Sequence, residues 1–92
     1  MMLATSVTGQ TLYAVLLNTS GEAWTGAAFE TPSAASWADY ALAMSEADNT
    51  GIYSVDMPAV PAGVYSFLVY RQVGGSATAG DPCIGAGSMR WT

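Results

Sequence analysis

The chain has no histidine, no lysine and a single cysteine, Cys83. Each absence removes a class of chemistry. Without histidine or lysine there is no general base for a serine triad or a Ser–Lys pair. Without histidine, and with one thiol, no standard zinc site can be assembled. One cysteine also excludes an intrachain disulfide. Set among small apolar residues, Cys83 is expected to be a buried, inert thiol. Cations are scarce too. Arg71 and Arg90 stand against seven carboxylates, for a net charge of −5. Two arginines cannot displace enough counterions to hold a nucleic acid, nor draw the chain to an anionic membrane surface.

Long apolar runs are missing. The longest, Leu12 to Leu17, falls well short of the ~20 residues of a membrane span. The opening Met1-Met2-Leu3-Ala4-Thr5-Ser6 has no basic region ahead of an apolar stretch, so a secretory signal is not expected. The expectation is a complete small gene product made in a cytoplasm. Asn18-Thr19-Ser20 has the glycosylation spacing, which carries no weight without that signal.

What is present describes one small all-β domain. A length of 92 residues makes a single domain over 1–92, with residues 1–10 as an N-terminal arm. Charged residues are 10% of the chain, against a usual ~25%. A surface this poor in charge is expected to be covered in part by partners, either other proteins or copies of the chain itself.

Strand signals recur along the sequence. Leu12 to Leu17 is apolar on both faces, as in a central strand covered on both sides. Glu22 to Trp24 and Ala28 to Glu30 form two arms of a small hairpin around Thr25-Gly26. Thr31-Pro32-Ser33 can open one short helical turn with Thr31 as N-cap, anchored by Trp37. Ala41 to Glu46 reads as a strand, and Asp48-Asn49-Thr50-Gly51 is the strongest turn signal. Beyond it, Tyr53, Val55 and Met57 alternate with Ile52, Ser54 and Asp56, which turns the Tyr53 side inward. Val64 to Arg71 is rich in β-branched and aromatic residues. Gly74 to Pro82 reads as a flexible loop, and a last strand runs from about Cys83 to Trp91. About seven strands, with turn signals every ~8–12 residues, form the pattern of a single antiparallel sandwich.

Gly51-Ile52-Tyr53, Pro58 and Gly63-Val64-Tyr65 repeat the form Gly-x-Tyr around a proline. This resembles the immunoglobulin-like modules of bacterial and phage proteins. There a glycine makes the tight corner and the tyrosine hydroxyl bonds nearby backbone. Gly51, Tyr53, Gly63 and Tyr65 are therefore the expected structural corners. The resemblance extends over Leu12 to Val15, Trp24 to Glu30 and Trp37 to Tyr40, which look like the N-terminal domain of phage baseplate upper proteins. It implies a non-catalytic virion component made in a host bacterial cytoplasm: a capsid decoration or cement protein, or a tail-associated subunit. Its partners would be other virion proteins and copies of itself.

No catalytic residue, cofactor or metal is expected. Glu22 and Glu30 are placed to face each other on the hairpin, the pairing a glycosidase needs, but solvated charges at strand ends account for both. Glu46, Asp48, Asn49 and Asp56 offer oxygens to calcium without EF-hand spacing. The expected contact residues are Met1, Met2 and Leu3 in the arm, Trp24 near a hairpin tip and Trp91 near the terminus. A small glycan-binding module is the alternative, and it requires exposed coplanar aromatics among Trp24, Trp37, Trp91 and the tyrosines.

Overall fold

A computed structural model describes residues 2–92 of the chain. Among them are nine short strands: β1 (Met2–Thr5), β2 (Leu12–Leu17), β3 (Ala23–Trp24), β4 (Phe29–Glu30), β5 (Leu42–Ala43), β6 (Ser45–Glu46), β7 (Ile52–Val55), β8 (Gly63–Arg71) and β9 (Cys83–Trp91). One 3-10 helix, Ala34–Tyr40, lies between β4 and β5. All pairings are antiparallel. The smaller sheet has the order β1-β7-β6, and the larger has β4-β3-β2-β8-β9, with β5 also pairing β2.

This is the strand order of a variable-type immunoglobulin sandwich, B-E-D in one sheet and C″-C′-C-F-G in the other. The first strand of that fold has no counterpart among the described residues, so β1 stands at a sheet edge. The corner signature is carried by Tyr65 at the start of β8. Its hydroxyl donates to the Pro61 carbonyl at 2.6 Å, four residues upstream.

Two sequence expectations about elements are corrected. Residues 2–10 are not a free arm. Met2 to Thr5 pair in register with β7, and Met2 is fully buried because its side chain fills the space between the sheets. Nor is Ala41 to Glu46 one strand. It breaks at Met44, whose N–H donates to Leu12 O at 3.0 Å. Ahead of it, β5 pairs β2 in the larger sheet, and behind it β6 pairs β7 in the smaller one. A strand that changes sheets in this way makes the corner of a sandwich.

Strand β2 is buried on both faces, as its unbroken apolar run implies. Ala14 and Leu16 point between the sheets, with Met2, Val60 and Tyr65 and the flanking Trp24, Phe29, Phe67, Met89 and Trp91. Tyr13 and Val15 point the other way, under Tyr40 and Trp37 of the 3-10 helix and Ala77 of the β8–β9 loop. Ser33, not Thr31, precedes the helix as its N-cap, and it makes no side-chain cap. The segment is anchored by Tyr40, fully buried, more than by the half-buried Trp37. The Tyr40 hydroxyl accepts from Ser33 N–H at 3.1 Å, tying the helix to its own start.

Gly51 is demanded both by conformation and by space. Its φ is +77°, and a Cβ there would collide with the Ser6 carbonyl oxygen. Asp48 and Asn49 just before it also have positive φ, 45° and 56°, the conformation asparagine and aspartate tolerate best. At Gly87 the constraint is lateral. A Cβ would lie 2.7 Å from the Phe67 ring, which covers the bare backbone of its cross-strand partner.

Candidate interaction surface

The most organised polar cluster lies on the outer face of the larger sheet. Trp37 Nε1 donates to the Tyr13 hydroxyl at 2.9 Å, and that hydroxyl donates to Asp81 Oδ2 at 2.7 Å. Asp81 is 7% exposed and also accepts from the Thr78 N–H at 3.0 Å and the Val73 N–H at 3.3 Å. The Thr78 backbone N–H and the Tyr13 hydroxyl hold its carboxyl below the usual carboxylate range. Burial, reinforced by the Asp81 hydrogen bond, pushes the Tyr13 hydroxyl up to about 12. Tyr70 stacks on Tyr13 with ring centroids 5.5 Å apart, and Trp37 meets Tyr70 edge-on at 5.2 Å. One carboxylate thus joins the helix, the central strand and the β8–β9 loop. The loop expected to be flexible is fastened at Asp81. Sequence reasoning passed over this residue, although it is the single charge in the stretch Gly74 to Pro82.

A second carboxylate closes the adjoining end of the sandwich. Glu46 accepts from Gly9 N–H at 3.0 Å and Gly51 N–H at 2.9 Å, and these backbone donors lower its pKa. Tyr53 works beside it, donating to Val7 O at 2.7 Å and accepting from Gln10 N–H at 3.0 Å. Tyr53 therefore ties the β1–β2 loop, distant in sequence, while Tyr65 makes the local corner. Gly63 has only ordinary contacts with the Tyr65 ring, at 3.7 Å. In both networks the carboxylate has structural work, holding loop backbone in place. Glu30 is paired in register with Ala23, and Glu22 accepts from Asn18 Nδ2 at 3.0 Å. Among the described residues, no three His, Cys, Asp or Glu side chains group as a metal site would require. None of the helices there is long and apolar enough to cross a membrane.

The expected contact residues divide. Met1 lies outside the described residues. Met2 is corrected from surface to core. Leu3, its neighbour on β1, is 56% exposed. Trp24 and Trp91 are half-buried and pack against the inter-sheet core, Trp24 at 5.1 Å from the Phe29 ring centroid. Cys83 is corrected as well. It is exposed, because it sits on the outer face of an edge strand where nothing covers it.

The surface holds three features that could meet a partner. Leu3 and Ile52 are exposed on the smaller sheet, and Val7, Val73 and Ile84 are exposed among the residues of the β1–β2 and β8–β9 region. An open depression of about 440 Å3 is lined by Gly9, Gln10, Thr11, Arg71, Gln72 and Val73. The third feature is β9, nine residues long and paired on one side only.

Comparison of the chain with protein-family models, with curated proteins and with solved structures returns no match. The fold and the surface define a small all-β sandwich of immunoglobulin-like strand order.

Proposed function

We propose that the protein is a non-enzymatic structural subunit of a phage particle, a capsid decoration or tail-associated component that acts through protein–protein contacts. The observation that carries this reading is the unprotected edge of β9 on a molecule with little charge. Edge strands of free-standing proteins are usually shortened, charged, bulged or covered, because their open N–H and C=O groups recruit other strands. Here nine residues carry one charge, Arg90, and no proline, and the one irregularity, at Ile84 near the start, leaves Gly85 to Trp91 regular. Exposed Leu3, Val7, Ile52, Val64, Val73 and Ile84 add apolar area for neighbours. The sequence resemblance to virion modules supplies the setting: a particle, with the chain made in the host cytoplasm.

The glycan-binding alternative gains nothing from the geometry. It needs a flat exposed aromatic platform, whereas Trp24, Trp37 and Trp91 all pack against core clusters.

The test is mass spectrometry of purified particles assembled by the genome that encodes the chain. Stoichiometric recovery in the particles, and its loss when the gene is deleted, is the expected result. Recovery only from the soluble fraction of the host cell overturns the reading.

A further inference from the structure

The backbone of β9 has an alternation that can be followed. Gln72 N–H donates to Thr11 O at 2.9 Å, and Arg71 N–H donates to Pro82 O at 3.0 Å. Successive residues of β8 therefore address β2 and β9 in turn. Residues 63, 65, 67 and 69 face β9 and engage Trp91, Met89, Gly87 and Gly85. The N–H and C=O groups of Ala86, Ser88 and Arg90 consequently point away from the sheet. No strand in the described chain takes them, since β9 ends the order of the larger sheet. A register shift between Val69 and Tyr70 leaves Ile84 unpaired, so the regular edge runs from Gly85 to Trp91.

We propose that this edge pairs with the same edge of a second copy, antiparallel about a two-fold axis at Gly87, joining the two larger sheets into one. The inference rests on the reading of the chain as a contact-forming subunit, and it names the partner. Three features of β9 fit a second copy.

The first is size. Around Gly87, Met89 of one copy falls opposite Gly85 of the other, and Ala86 falls opposite Ser88. Large meets absent side chain on the inner face and small meets small on the outer face. The second is charge. All seven carboxylates lie off β9, and its one charge, Arg90, falls opposite the exposed Ile84 rather than opposite itself. A chain of net charge −5 repels its copies elsewhere, and among the described strands that end a sheet order β9 is the one on which a cation stands without a carboxylate, Arg71 lying on the interior β8. The third is hydrogen bonding. The outward groups at 86 and 88 become reciprocal partners across the axis, as antiparallel pairing requires. Two-fold pairing of one patch with itself is also the commonest symmetry of small assemblies.

Three measurements on the purified chain test this. Light scattering behind a sizing column should give twice the chain mass, decaying to the chain mass on dilution. Hydrogen exchange should show the amides of 86 and 88 protected in concentrated and not in dilute samples. Ser88→Pro should halve the mass and leave the circular dichroism unchanged, because the lost N–H points out of the sheet and an edge tolerates proline there. Should Ser88→Pro fail to fold, Ser88→Lys gives the same reading by placing charge on the edge. A monomer at every concentration overturns the inference. So does a dimer in which those amides exchange freely, or one that both a folded Ser88→Pro and Ser88→Lys leave intact. Absence of the chain from particles is a separate result. It sinks the virion reading and leaves these solution measurements as they are.

Discussion

Strand β2 turns Ala14 and Leu16 towards the second sheet, and Tyr13 and Val15 towards a helix and a loop. The inner contact is made chiefly by strands of the sandwich itself, with Val60 of the β7–β8 connection. The outer one is made by the 3-10 helix and the β8–β9 loop, which have no sheet ladder to hold them. Their attachment uses Trp37, Tyr13 and Asp81 in a hydrogen-bonded series. The comparison shows two ways to cover an apolar strand. Regular elements bury area against area. Irregular elements need directional bonds, because a loop of glycine, serine and alanine brings too little area to hold itself down.

Perturbations should separate the two faces. The largest effect is expected from deleting residues 1–5, which removes β1 and the buried Met2 from the inner side. The cooperative thermal transition should vanish, and a folded, truncated chain would show that the strand is dispensable after all. Next is Leu16→Ala, expected to cost about 2–5 kcal/mol by urea unfolding, as large-to-small changes in packed cores do. The outer face should respond less. Tyr13→Phe removes both the donor to Asp81 and the acceptor for Trp37, at about 1–3 kcal/mol for buried groups left unpartnered. Amides of the β8–β9 loop should exchange faster while those of β1 and β7 stay slow. Equal loosening of both faces would mean that they are one cooperative unit.

Titration should give the mildest effect, and near-ultraviolet signals read it on the outer face. The Asp81 pKa is depressed in the folded state, so its contribution is present above the unfolded value, about 3.9, and is lost as the pH falls through the folded value. The Tyr13 pKa is raised to about 12, so its contribution is full below the ordinary value of about 10 and is lost as the pH rises towards 12. Near-ultraviolet circular dichroism of the Trp37, Tyr13 and Tyr70 group should therefore change at both extremes. In Asp81→Asn the acid change should disappear. Its persistence would assign the transition to another carboxylate.

Some of this was readable before the fold. The turn at Asp48-Asn49-Thr50-Gly51, the inward Tyr53, the hairpin around Thr25-Gly26 and the two-faced β2 all follow from local rules: which residues accept positive φ, and which side a strand residue takes. The same rules mislead where position depends on a distant partner. Cys83 has apolar neighbours in sequence and none across the edge of the sheet. Asp81 looks like an ordinary loop acid until Tyr13, 68 residues away, brings a hydroxyl to it. Met2 looks like part of an arm because four residues cannot announce a strand whose partner, β7, is about fifty residues on.

By itself, then, the sequence determined the class of the protein: an all-β domain with no triad, no disulfide and no basic footprint. Those outcomes depend on composition and on spacings of a few residues. The tertiary structure alone decided that a loop is fastened by a buried carboxylate, that Met44 carries the chain from one sheet to the other, and that the longest exposed strand has an empty edge. Each depends on which strands become neighbours, and strand pairing is settled by contacts across the whole chain rather than by any local run of residues.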